Sequence, residues 1–168
     1  MGEALDGFIC KKCGERHEGI PDLGYALPLP IAELSADERA QRAKISDDFC
    51  TLDEENFFVR GVLELPIIGQ ADRFGLGVWS SLRRINFQRY VETFEDKDQS
   101  KLGSFFGWFS NRLPNYPDTF LLKCEVHPRD GNKRPSITLQ PTDHPLSLEE
   151  RFCIELEKVL ELLSGSYH

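Results

Sequence analysis

The sequence predicts an α+β domain: a mostly antiparallel sheet of four to five strands, helices on one face, and an N-terminal zinc-knuckle-like turn. Three observations predict it. Segments at 56–67, 74–82 and 119–126 alternate apolar and polar residues at period 2, and apolar stripes at helical spacing follow at 84–94 and 147–163. The connections between strands are mostly short, which favours antiparallel neighbours. The 168 residues suit one ordinary domain, and no repeat or low-complexity linker divides them. Residues 1–168 therefore read as one unit, with 1–30 as a knuckle-like segment packed on it.

Each element has its own warrant. Residues 18–34 carry Pro21, Pro28, Pro30, Gly19 and Gly24, the composition of an extended surface crossing. Ser35-Ala-Asp-Glu38 is a capping box that opens a helix to about Ile45, a surface helix because its apolar content is slight. From Asn56 to Ile67, Phe57, Val59, Leu63, Leu65 and Ile67 share one strand face. Across Gly69-Gln-Ala-Asp72 lies an antiparallel partner whose Phe74, Leu76 and Val78 face inward. Its other face carries Gly75, Gly77 and Trp79, so something packs close to the backbone there. A helix over 84–94 places Phe87, Tyr90, Val91 and Phe94 on one stripe. Thr119–Val126 and Ser136–Gln140 form a hairpin around Asp130-Gly131, with Phe120, Leu122, Cys124 and Val126 inward. A second capping box, Ser147-Leu-Glu-Glu150, opens a helix through about Leu163 with Phe152, Leu156, Val159, Leu160 and Leu163 as its stripe.

Charge narrows the function classes. Lys+Arg 20 against Asp+Glu 28 leaves a net charge of −8, which opposes nonspecific attraction to nucleic acid or anionic lipid. No apolar run is long enough to span a bilayer, and the first residues lack the basic and apolar regions of a secretory signal. A cytoplasmic location is the expectation.

Five cysteines, an odd number without an export signal, argue against a disulfide framework. Cys10 and Cys13 form Cys-Lys-Lys-Cys-Gly, one half of a zinc ribbon or knuckle, in which two thiolates clasp an ion while Gly14 frees the turn. A tetrahedral site needs two more ligands, and His17 and Cys50 are the nearest candidates. A metal-free turn with reduced thiols and a redox pair are the alternatives. Cys124 on a strand and Cys153 within a helix read as small core residues.

The densest aromatic segment, Phe105–Phe109 with Tyr116 beyond, allows two readings. Trp108, Asn111, Arg112 and Tyr116 form an exposed binding patch, or the rings fill a second small core under the loop. An enzyme would draw on Asn111, Arg112 and His144, with an aromatic wall beside them. Asp143 is a poor orienter for His144, since neighbours in an extended segment point opposite ways, and no nucleophile elbow or His-Glu-x-x-His motif is present.

Several stretches carry a resemblance. They are Phe8-x-Cys10-x-x-Cys13-Gly-x-x-His17-x-Gly19, Phe57-Phe-x-Arg60-Gly-Val-Leu-Glu64-x-Pro66 and Gly75-x-Gly77-Val-Trp79-x-Ser-Leu82. Gly107-Trp108, Asn111-Arg-Leu-Pro-x-Tyr116-Pro-Asp-Thr119 and Pro141-Thr-Asp-His144-Pro-Leu146 follow in order. Together, from residue 8 to about 160, the chain resembles the bacterial domain-of-unknown-function family twenty-one ninety-nine. The resemblance implies a cysteine after the first helix as a companion of Cys10 and Cys13, which Cys50 in Ser46-Asp-Asp-Phe-Cys50 matches; it implies no reaction. The expected function is a zinc-stabilised binding or regulatory module for a protein partner, akin by analogy to acidic inhibitors and immunity proteins. A small enzyme is the alternative.

Overall fold

The computed structural model describes residues 23–166 together with the backbone of 8–9 and 16–17. Strands β1 (Phe8–Ile9) and β2 (Arg16–His17) pair antiparallel, Phe8 opposite His17. Then come β3 (Leu23–Gly24), α1 (Leu29–Ala32), α2 (Ala36–Arg42), β4 (Ala43–Ile45) and β5 (Phe49–Leu52). The long strands β6 (Asn56–Pro66) and β7 (Arg73–Leu82) precede α3 (Arg84–Glu92) and a 3-10 turn, Gln99–Leu102. The remainder is β8 (Phe105–Phe109), β9 (Lys123–His127), β10 (Ser136–Leu139), α4 (Pro145–Phe152) and α5 (Leu156–Ser166).

The class is α+β, and the two period-2 segments pair as their patterns dictate. β6 and β7 run antiparallel in register from Phe57↔Leu82 to Pro66↔Arg73, and β9 and β10 make the expected hairpin. The expected sheet of four to five strands differs in detail, however. Among the described residues the main sheet has eight strands, and five of them, β6 through β10, close into a barrel. Each neighbour pair in the ring is antiparallel except the last, β10 to β6, which is parallel. β3 extends β7, while β5 and β4 extend β6. Closure depends on Gly61: a Cβ there would sit 2.7 Å from Ile137 Cδ1 and 2.8 Å from Pro135 O, so only glycine lets β10 reach β6.

The barrel interior is the main core. Val59, Leu63, Leu65, Phe74, Leu76, Val78, Phe105, Phe109, Val126 and Ile137 fill it, and the helices add Tyr90, Leu146, Val159 and Leu163 to the same cluster. A smaller core lies outside the barrel wall: Ile31, Cys50, Leu52, Phe58 and Trp79, with Tyr25, Leu27 and Leu34 around them. The close approach expected on the glycine-rich face of β7 is β3, since a Cβ on Gly77 would lie 3.4 Å from Gly24 Cα. Trp79, on the same face, anchors the 25–34 segment.

Local differences have local causes. The capping box at Ser35 and Glu38 forms, but α2 ends at Arg42 because residues 43–45 pair with β5 instead. The strand after Thr119 begins only at Lys123, since Leu121 turns the chain at φ 71°. Ser147 does not cap a helix. His144 does, with Pro145 in the first turn, and Ser147 is buried, accepting from Thr142 N and donating to Gln140 O.

The single C-terminal helix expected through Leu163 is broken at Cys153, which has φ 122° and ψ 151°, a conformation suited to glycine. The break lets Ile154 join the sheet edge: its N–H donates to Pro66 O at 2.8 Å and its carbonyl accepts from Ile68 N at 3.0 Å. Phe152, placed on the apolar stripe by periodicity, is instead 69% exposed, and Cys153 is only partly buried.

Candidate functional site

The aromatic segment is a strand, and its pleat sorts the rings by burial. On β8, Phe105, Gly107 and Phe109 face the barrel interior while Phe106 and Trp108 face out. Gly107 is needed because a Cβ would run into Ser80 Oγ and Ser81 O of β7. The outward rings are 39% and 40% exposed and meet edge to face, centroids 5.1 Å apart. Of the four rings on β8, two are core and two are surface. Phe106 was not among the expected patch residues, although the alternation Phe-Phe-Gly-Trp-Phe placed it beside Trp108.

The other expected patch residues divide by role. Asn111 is 3% exposed and is a clasp: its Oδ1 accepts the Trp79 N–H at 2.8 Å and its Nδ2 donates to Leu27 O at 3.0 Å. Arg112 is exposed, pairs with Asp118 at 3.0 Å and lies over the Phe120 ring. That guanidinium, then the Phe120 N–H, holds the Asp118 carboxyl below its usual range. Tyr116 is half-buried; its hydroxyl donates to Glu149 Oε2 at 3.2 Å, and Lys158 sits over its ring at 3.9 Å while also pairing with Glu149. Burial first, and the Glu149 charge second, pushes the Tyr116 phenol well above its usual range.

Asn111, Arg112 and His144, the residues of the expected polar site, are all held in contacts within the fold. His144 Nδ1 accepts the Leu146 N–H at 3.1 Å, capping α4, and Nε2 lies 3.0 Å from Pro117 O. Both ring nitrogens are thus engaged in contacts within the fold. Asn111 is engaged at both ends of its amide. The arrangement fixes loops.

For the metal site, Cys10, Cys13 and the His17 side chain lie outside the described residues. The described backbone pairs Phe8 with His17 and Ile9 with Arg16. Cys50 is 1% exposed in the outer core, its Sγ 4.0 Å from Ser46 O, and burial pushes its thiol up to about 11. Cys124 is likewise buried and pushed up to about 12, with its Sγ 3.3 Å from Ser80 Oγ. Among the described residues no three His, Cys, Asp or Glu side chains are grouped to hold a metal ion. Nor is any described helix long and apolar enough to cross a membrane.

One half-buried carboxyl escaped the sequence reading. Glu150, placed by pattern as a capping residue, instead accepts the Leu139 N–H at 2.9 Å, and burial raises it to about 6. No periodicity announces such a contact, since it depends on where α4 crosses β10.

A family model described as an uncharacterized protein conserved in bacteria, DUF2199, matches residues 9–154, and the chain belongs to that family. No curated protein and no solved structure matches it.

Proposed function

We infer that this family member is a zinc-stapled binding module that engages a protein partner through the outer face of β8. The observation that carries this reading is the Phe106–Trp108 pair. Two large rings stand about 40% exposed beside each other while Phe105 and Phe109 of the same strand fill the core. Tryptophan and its aromatic neighbours are the side chains that anchor interfaces, and they do so when a rigid element holds them still. A closed barrel wall is such an element. The net charge of −8 favours a partner with a basic surface, which is the analogy with acidic inhibitors.

Zinc on Cys10 and Cys13 would staple the β1–β2 hairpin, with His17 and Cys50 as the candidates to complete the tetrahedron. Cys50 suits a ligand role only if the metal displaces its proton, which coordination does. Metal analysis of the purified chain should give about one zinc, and Cys13→Ser should lower both zinc content and melting temperature. Zinc-free protein whose melting is unaltered by Cys13→Ser would reject the staple. Equal stoichiometry in wild type and Cys50→Ser would remove Cys50 alone.

The interface is tested by the double variant Phe106→Ala/Trp108→Ala. It should keep the wild-type circular dichroism and lose capture of the partner identified with the wild-type chain. A double variant that unfolds, or one that retains the partner, overturns the β8 assignment.

A further inference from the structure

The barrel seam holds a second feature, away from β8. β10 returns to β6 through one register pair, Ser136↔Val62, and the ladder ends there. α4 crosses the gap: Glu150 Oε1 accepts the Leu139 N–H, which in a continuing parallel ladder would bond a β6 carbonyl. The gap is a cleft of about 410 Å³ lined by Glu64, Arg73, Thr138, Leu139, Glu150 and Arg151.

Its charges are disposed unevenly. Arg151 directs its N–H groups to the Thr142 and Ser147 carbonyl oxygens, and among the described residues Glu150 has no direct ion pair. The second Glu150 oxygen accepts no hydrogen bond among the described residues and is not sealed off, leaving it open to the cleft. Glu64 and Arg73 face outward on β6 and β7. They are diagonal neighbours, because Glu64 opposes Gly75 and Arg73 opposes Pro66, which places them roughly 7–8 Å apart. Neither is ion-paired with any described residue, and both lie on the cleft. Two carboxylates and a guanidinium, none ion-paired among the described residues, therefore line one cavity within the range of small-molecule sites.

We propose that the seam cleft binds a zwitterionic small molecule of amino-acid or dipeptide size, its ammonium held by Glu150 and Glu64 and its carboxylate by Arg73. The guanidinium matches a carboxylate with two parallel N–H donors. Glu150 holds an ammonium only when ionised, so binding should weaken as pH falls through about 6.

Calorimetric titration of the full chain with alanine and alanyl-alanine at pH 8 tests this. At least one should bind with a millimolar or tighter constant, and N-acetylation or C-amidation of the dipeptide should each weaken it about tenfold or more. Arg73→Gln and Glu150→Gln should have a similar effect without loss of folded signal, whereas Ile85→Ala, at an exposed position of α3, should leave binding unchanged. Glu150→Gln keeps an acceptor for Leu139 N–H, so its failure to bind would not be a folding artefact. Absence of binding by both probes, equal binding of the blocked dipeptides, or unchanged binding by Arg73→Gln would overturn the proposal.

Discussion

Trp79 and Trp108 stand on neighbouring strands and on the same outer surface of the barrel, yet one is fully buried and the other 40% exposed. The difference is a roof. Over Trp79 the 25–34 segment is fastened at four points: Trp79 Nε1 to Tyr25 O, Tyr25 N to Gly77 O, Leu29 N to Ser110 O, and Asn111 between Trp79 N and Leu27 O. Nothing among the described residues covers Trp108 in that way. A barrel wall has an inner face that buries itself and an outer face whose fate depends on what crosses it. The same residue type is thus structural on β7 and available for recognition on β8.

The comparison can be broken or sharpened by substitution. Trp79→Ala empties the outer core and should cost about 3–5 kcal/mol, a large share of a small domain's stability. Urea unfolding would detect it as a fall in midpoint, and a midpoint near wild type would erase the distinction between the two tryptophans.

Asn111→Ala keeps the ring but undoes the clasp. One buried and one partly buried backbone group then lack partners, at a cost of about 2–4 kcal/mol. Trp79 should also become accessible to acrylamide in a Trp108→Phe background. A shielded indole in that variant would show that packing alone holds the roof.

The β6–β10 seam is an intermediate case, roofed by α4 through Glu150. That carboxyl is raised in the fold from an ordinary 4.5 to about 6, chiefly by burial. Below pH 4.5 it is protonated in both folded and unfolded chains and carries no penalty. Between 4.5 and 6 the unfolded chain ionises first, so the folded state loses stability as pH rises. Glu150→Gln should therefore raise stability at pH 8 by about 1 kcal/mol, after discounting for solvent exposure, and change nothing at pH 4. Thermal unfolding at the two pH values checks it, and an equal shift at both would assign the effect to packing.

The smallest effect is expected at Trp108→Ala. Losing one edge-to-face contact on an exposed surface should cost under about 1 kcal/mol, while removing nearly all quencher-accessible tryptophan emission. A loss as large as that for Trp79→Ala would mean that the β8 face is covered after all.

Much of this molecule was legible residue by residue. The alternation in 56–67 and 74–82 fixed both pairing and inward faces, because a one-residue slip would have turned the whole apolar set outward. The first capping box and the hairpin at Asp130-Gly131 were equally local. Helix continuity was not legible at the C-terminus: the stripe from Phe152 to Leu163 fits one helix, but Ile154 gains more by bonding Pro66 O and Ile68 N, a competition invisible to periodicity. Of the expected patch, Trp108 and Arg112 are exposed, while Asn111 is buried, since an amide that can bridge two backbones reads the same in sequence as one that meets a ligand.

The sequence by itself determined the α+β class, the antiparallel β6–β7 pair, the core faces of the strands and the acidic character of the chain. Those follow from side-chain period and charge, which need no knowledge of distant neighbours. Only the tertiary structure decided that the sheet closes, that a roof covers Trp79 but not Trp108, and that Glu150 plugs a seam. Closure rests on Gly61 admitting Ile137 from 76 residues away, and the roof on Asn111 reaching Leu27 from 84. Such contacts join segments whose local patterns are indifferent to each other, so the physics that fixes them acts only after the chain has folded.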